Sequence, residues 1–289
     1  MGNIPHRRYL PMDPQYDAGY MRSFYDTYGT REWDRLQRDP TALVNFHIHG
    51  YYLDRFVRRG DHVLDVGAGP GRFTIELAKL GATVVVGDLS PVQLDLNREK
   101  VREARYEQAV TARELMDIVD LSQIADASFD AVVCYGGPLS YVFNRADQAI
   151  DELLRVTKPN GYLLLSVMSL AGAMRRFLAG ILALAQEYGA QRSIHDVLTT
   201  GNLTGDINQG HPMHLYRSEE LLALLRQHAC ECVAASAANF LSPGNEAALA
   251  DIVADETIWP TILAAEVTLC QQPGALDGGT HIIAVVKRR

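Results

Sequence analysis

Val63-Leu64-Asp65-Val66-Gly67-Ala68-Gly69-Pro70-Gly71-Arg72 decides how this chain is read. His62 to Val66 is a short apolar run with β-branched residues, bounded by Gly60 and Gly67, and predicts a buried strand. Phe73, Ile75, Leu77, Ala78 and Leu80 then shift to helical spacing, and Gly81 supplies a stop. Between strand and helix lie glycines at 67, 69 and 71. Glycine permits positive φ and lets backbone approach a ligand closely. A dinucleotide fingerprint would place its third glycine at position 72, where Arg72 stands. The spacing is G-x-G-x-G, which on its own also suits a tight turn with no ligand.

Thr83-Val84-Val85-Val86-Gly87-Asp88 reads as a second buried parallel strand that ends on an acid. Ser90 and Pro91 follow as an N-cap and a helix-starting proline. At that strand end Asp88 lies beside the first glycine turn, where a carboxylate accepts both hydroxyls of a ribose. A solvated loop acid is the plainer reading of the same residue.

From here the chain resembles the class I S-adenosylmethionine-dependent methyltransferases, in the small-molecule branch that includes quinone-biosynthesis enzymes. The resemblance rests on Asp65 to Gly71, Asp88, Asp117-Ile118, Ser128 to Cys134 and Leu153 to Gly161, in order between residues 60 and 167. It implies an α/β fold, a Rossmann-like seven-stranded sheet of order 3-2-1-4-5-7-6 with the last strand antiparallel and helices on both faces. It implies S-adenosyl-L-methionine as cofactor and S-adenosyl-L-homocysteine as product. The implied cofactor contacts are Asp65, Gly67, Ala68, Gly69 and Gly71 at the first turn, Asp88 and Leu89 at the second strand end, and Cys134 and Tyr135 at the fourth. Asp117 and Ile118 are implied to read adenine, an acid for the exocyclic amine and a backbone amide for a ring nitrogen. Asp120 rivals Asp117 for the first role. The N-terminal segment often folds over the cofactor in this family, which makes Tyr16, Tyr20 and Tyr28 candidates for the methionine end, Tyr20 among the expected site residues. The plain alternative is a helix that packs its aromatics on the core.

The chain has 289 residues, 47% of them hydrophobic, which suits one enlarged α/β domain. Its net charge of -8 shows no basic face for tracking a nucleic-acid backbone, and Arg7-Arg8 and Lys287-Arg288-Arg289 read as solvated terminal charge. Cysteines at 134, 230, 232 and 270 form neither a C-x-x-C pair nor a zinc spacing, so no metal is expected. No stretch reads as a signal peptide or a bilayer span, and a reduced cytoplasm is expected.

Residues 1 to 12 read as irregular, and 1–59 as an N-terminal helical cap on a methyltransferase domain of 60–289. A helix from Asp39-Pro40 to Arg58 is given the stripe Leu43, Phe46, Gly50, Leu53 and Val57, with His47 beside it and His49 away from it. Glu107 to Met116 leads toward a third strand, and Phe129 to Cys134 is the fourth. Asn144 is expected to cap the next helix, and Asn160-Gly161 to turn into the fifth strand, Tyr162 to Val167. Cys232 to Ala238 and His281 to Val286 supply the last two. Residues 169–216 exceed what a minimal sheet needs. Their position suits a substrate lid, with decoration or a dimer surface as the alternative.

The expected activity is in-line methyl transfer to a small-molecule acceptor by a monomer or homodimer. Any catalytic base is unassigned, with His195, His211 and His214 as candidates because histidine titrates near neutrality. His214-Leu215-Tyr216 is the more suggestive group. Two other classes stay open: a nucleotide-dependent oxidoreductase, disfavoured by Arg72, and a non-catalytic S-adenosylmethionine-binding protein.

Overall fold

Nine strands and thirteen α-helices are present in the computed structural model, which describes residues 14–289 other than Leu36 and Gln209. Arg7, Arg8 and the stretch 1–12 read as irregular lie outside those residues. The strands are β1 His62–Val66, β2 Thr83–Asp88, β3 Val110–Leu115, β4 Phe129–Cys134, β5 Thr157–Met168, β6 Asn202–Leu203, β7 Met213–His214, β8 Cys230–Ala237 and β9 His281–Arg288. Seven of them form one sheet in the order β3-β2-β1-β4-β5-β9-β8. Neighbours from β3 to β5 are parallel, and β9 runs antiparallel to both β5 and β8. This is the seven-stranded order the resemblance implies, with β8 and β9 as its sixth and seventh strands.

The helices are α1 Ala18–Tyr28, α2 Arg31–Arg35, α3 Pro40–Phe56, α4 Arg72–Lys79, α5 Pro91–Glu103, α6 Pro138–Tyr141, α7 Ala146–Val156, α8 Leu170–Arg176, α9 Leu178–Tyr188, α10 Val197–Thr200, α11 Ser218–Leu225, α12 Glu246–Ala250 and α13 Ile258–Cys270. Successive strand side chains point to opposite faces, so each central strand feeds two cores. Leu64, Val66, Val132, Leu163 and Leu165 pack with Ile150 and Leu153 of α7 and Leu221 of α11. Val63, Val84, Val86, Val133 and Leu164 pack with Ile48, Tyr52 and Leu53 of α3 and Leu77 of α4. Burial on both faces is why these strands read as continuous apolar runs.

Three local expectations change. The buried face of α3 carries Val44, Asn45, Ile48, His49, Tyr52 and Leu53, so His49 is inside and His47 exposed. Apolar residues occur around much of this helix, which leaves its phase undecided by pattern. Polar anchoring sets it: Asn45 donates through Nδ2 to Thr280 Oγ1 at 3.3 Å, and His49 Nδ1 lies 2.8 Å from the Asn45 carbonyl. Asn144 does not cap α7, because a 3-10 turn at Phe143–Arg145 intervenes, and its side chain accepts from the Tyr16 N–H at 3.2 Å. The fifth strand begins earlier than expected, at Thr157, with Asn160 held at φ 64° and a register shift against β4.

Residues 169–216 form a closed excursion. Leu170 N–H donates to the Tyr216 carbonyl and Tyr216 N–H to the Met168 carbonyl, so the segment leaves and returns at one point. Between lie α8, α9, a π-helical turn at Gln191–Asp196, α10 and the β6–β7 hairpin. Because α3 is part of the core, among the described residues only α1 and α2 lie over the carboxyl edge of the sheet from the N-terminal side.

Candidate active site

The carboxyl ends of β1, β2, β3 and β4 open onto one crevice of about 900 Å³ including its open mouth. Asp65, Gly67, Ala68, Gly69, Asp88, Leu89, Asp117, Ile118 and Tyr135 all line it. Gly71 and Cys134 are not among its walls. Cys134 is fully buried in the core beneath, and Gly71 is the left-handed N-cap of α4.

The three glycines do different work. A Cβ on Gly67 would meet Pro138 Cγ at 2.4 Å, and one on Gly71 would meet Asn97 Nδ2 at 2.9 Å, so both are bare for packing. A Cβ on Gly69 would meet nothing closer than 3.6 Å. Its φ of 52° still favours glycine, and the space above it is the crevice itself.

Asp88 closes the floor. Its Oδ2 accepts from the Gly69 N–H at 2.8 Å and its Oδ1 from the Ser90 N–H at 2.9 Å. Burial pushes its pKa up to about 6 against the lowering effect of these two donors. Asp65 is buried and accepts from Thr74 Oγ1 at 2.6 Å, which ties the strand end to the first turn of α4. Burial raises it to about 7, with Thr74 opposing and Asp88 adding to the rise. Asp117 accepts from the Val119 N–H through Oδ1 at 3.0 Å and from the Tyr16 hydroxyl through Oδ2 at 2.8 Å. Its rival Asp120 is exposed, accepts from the Ser122 N–H and is not a wall of the crevice.

Arg72, in the place of a third fingerprint glycine, reaches across to the N-terminal segment. Its Nε and Nη2 donate to the Trp33 carbonyl at 3.1 and 2.7 Å, and its guanidinium lies 3.6 Å from the Trp33 ring centroid. The residue that argues against a dinucleotide thus fastens α2 over the site.

Of the N-terminal tyrosines, Tyr20 is not at the crevice. It is 45% exposed, and its hydroxyl donates to the Gly210 carbonyl at 2.6 Å. The helical phase of α1 turns Met21 and Tyr25 inward instead, and with Tyr16 they line the crevice. Tyr28 faces a second space, of about 1740 Å³ including its open mouth, between α1, α8, α9 and the β6–β7 loop. Tyr25, Glu32, Arg35 and Tyr141 line both spaces and mark their junction. Arg35 donates to Glu32 from Nε and Nη2, at 2.9 and 2.6 Å to Oε1.

The three candidate histidines separate. His195 is exposed, with its ring against Gln191. His214 lies between Asn202 Oδ1 and Glu220 Oε1, 2.7 Å from each, away from both spaces. His211 lines the second space, 3.3 Å from the Tyr25 hydroxyl and stacked on Phe24 at 4.2 Å. Burial and then Arg35 lower its pKa to about 4, so it is neutral at pH 7. Of the group His214-Leu215-Tyr216, Leu215 lines the second space and His214 faces away from it.

Several wall residues were missed. Gln93 donates to the Tyr25 and Gly29 carbonyls at 3.1 Å, and its Oε1 is buried without a partner. A buried acceptor left empty beside Asp88 and Gly69 suits a ligand donor. Its place in the first turn after Ser90 was the available signal. Glu32, Arg35 and Tyr141 carried none.

A set of backbone amides, two carboxylates and an orphan acceptor, over a glycine whose Cβ position is open, fits an adenosyl group with its ribose hydroxyls and amino-acid end. Residues 63–161 match the family model described as methyltransferase domain. The chain resembles the demethylmenaquinone methyltransferase of Symbiobacterium thermophilum, 27% identical over 53% of this chain and 61% of that protein. The match spans about half the length of the curated relatives. Among solved structures, 1,6-didemethyltoxoflavin-N1-methyltransferase from Burkholderia thailandensis, with 1,6-didemethyltoxoflavin and S-adenosylhomocysteine bound, superposes with a TM-score of 0.58 at 15% identity, covering 99% of this chain and 98% of that one. The [4+2]-cyclase SpnF superposes at 0.57 and 19% identity, over 98% and 99%. These likenesses establish the fold. With them, the match over residues 63–161 shows a methyltransferase domain within this chain.

Proposed function

We propose that this chain transfers a methyl group from S-adenosylmethionine to a small-molecule acceptor. The observation that carries the reading is the convergence of four strand ends on one crevice, with Asp88 held by the Gly69 and Ser90 amides and the Gly69 Cβ position open. Asp88 would accept the ribose hydroxyls, Asp117 and the amides after it would meet adenine on the apolar wall of Ile118, and Gln93 Oε1 would accept from a polar hydrogen of the ligand. The bound cofactor supplies a methyl on a sulfonium, a good leaving group, so that positioning contributes much of the acceleration. Tyr25, Glu32, Arg35 and Tyr141 stand where the two spaces meet, and the acceptor would reach the methyl there. The insertion and α1 would exclude water from that junction. The apolar lining of the second space favours a small molecule over a protein or nucleic-acid acceptor.

Calorimetry of the full chain tests the reading. S-adenosylhomocysteine should bind and NAD should not. Gly69→Val, whose side chain would enter the crevice, should abolish binding while the circular dichroism spectrum is kept. Binding of NAD alone, or a Gly69→Val variant that binds S-adenosylhomocysteine normally, would refute it. The cyclase shares the fold, so methyl transfer itself must be read as turnover, not inferred from binding.

A further inference from the structure

The second space is asymmetric. Its polar groups gather at the junction, where Tyr25, Glu32, Arg35, Tyr141 and His211 meet. Its body is walled by Met168, Met174, Phe177, Ile181, Leu184 and Met213. Phe177, in that apolar part, is 48% exposed, so a ligand body has a way in. Tyr28, a further polar wall, has its ring stacked on Phe24 with centroids 5.7 Å apart, and the other polar walls are engaged or outside. Ser193 donates to the Leu184 carbonyl, Asn208 donates to the His211 carbonyl, and Glu187 is exposed.

The junction presents no net charge. Arg35 is taken up by Glu32 through three hydrogen bonds. His211 stays neutral at pH 7, for the reasons of burial and Arg35 given above. Its ring is held by Phe24 at 4.2 Å and Tyr141 at 4.9 Å, and Nε2 points toward the Tyr25 hydroxyl. Among the described residues a carboxylate or phosphate on the acceptor would find no free cation here, and burying it unpaired is expensive. A hydroxyl or carbonyl would find a phenol and a neutral imidazole.

We propose that this space takes an acceptor with an uncharged polar head and a long apolar body, the head held at the junction by Tyr25 and His211. The proposal rests on the methyl-transfer reading and names its substrate class. Tyr25 and His211 come from the cap and the insertion, so specificity is built where those two segments touch. They are specificity residues, and no proton transfer is assigned to them.

The test uses the full chain saturated with S-adenosylhomocysteine, titrated with three probes: para-hexylphenol, phenol and para-hexylbenzoate. The phenol with the hexyl chain should bind tighter than each of the others by about tenfold or more, the chain supplying apolar burial and the benzoate suffering desolvation. Ile181→Glu should weaken para-hexylphenol by about tenfold or more and leave S-adenosylhomocysteine affinity unchanged, which also reports folding. His211→Phe, which keeps the stack and removes Nε2, should weaken para-hexylphenol by about fivefold without changing the binding of hexylbenzene, a fourth probe that lacks the polar head. Equal or tighter binding of para-hexylbenzoate, or an Ile181→Glu variant that binds para-hexylphenol normally, would overturn the proposal. If S-adenosylhomocysteine itself does not bind, the methyl-transfer reading fails. If it binds and the probes show no preference, this inference alone fails.

Discussion

Asp88 is the residue to which the proposed reading assigns the ribose of the cofactor. Both oxygens accept backbone N–H groups, yet each keeps acceptor capacity for a ribose hydroxyl. Burial raises its folded pKa to about 6, above the usual carboxylate range. The sign follows directly. In the free protein a raised carboxyl adds stability below its unfolded pKa and loses it as pH rises through about 6. A hydroxyl-donating ligand prefers the ionised form, so ligand affinity should rise over the same interval, from about pH 5 to pH 7. Asp65, raised to about 7, titrates nearby, and Asp88→Asn separates the two. That variant should bind S-adenosylhomocysteine about tenfold or more weakly, with most of the rise below pH 6.5 gone. Calorimetry across pH reads both effects. An unchanged pH profile in Asp88→Asn would assign the dependence to Asp65 or to another group.

At the scale of elements, the sheet was legible and the segments over its carboxyl edge only in outline. Each strand end near the cofactor is written in consecutive residues, as at 63–67 and 83–88, so local pattern suffices. The junction of the two spaces is assembled from α1, α2, α6 and the loop before β7, and no short window contains that juxtaposition. Tyr20 was mistaken for Tyr25 because the helical phase of α1, aromatic on several sides, is set by what it packs against. His49 escaped for the same reason in α3. His214 drew attention by its neighbours in sequence, but its place in the β6–β7 hairpin turns it to Asn202 and Glu220. The cap and insertion nonetheless touch: Tyr20 donates to the Gly210 carbonyl, and Tyr25 meets His211. The two should therefore move together as a lid. Hydrogen exchange should show protection gained on adding S-adenosylhomocysteine across 16–28 and in part of 169–216. Protection confined to 65–90 and 115–141 would make the insertion an assembly surface.

For the whole molecule, the antiparallel return of β9 beside β5 brings His281 to the same edge as Met168, which completes the rim that the insertion leaves from and returns to. Among the described residues no helix is long and apolar enough to cross a membrane. The architecture thus sets the crevice proposed for the cofactor against a larger apolar space, with a charge-balanced junction between them. A crystal structure with S-adenosylhomocysteine bound tests this division most directly. The account predicts ribose hydroxyls hydrogen-bonded to Asp88, adenine beside Asp117 and Ile118, and the sulfur facing the gap between Tyr25, Arg35 and Tyr141. A sulfur that faces away from that gap, or a ligand seated outside the crevice, would contradict it.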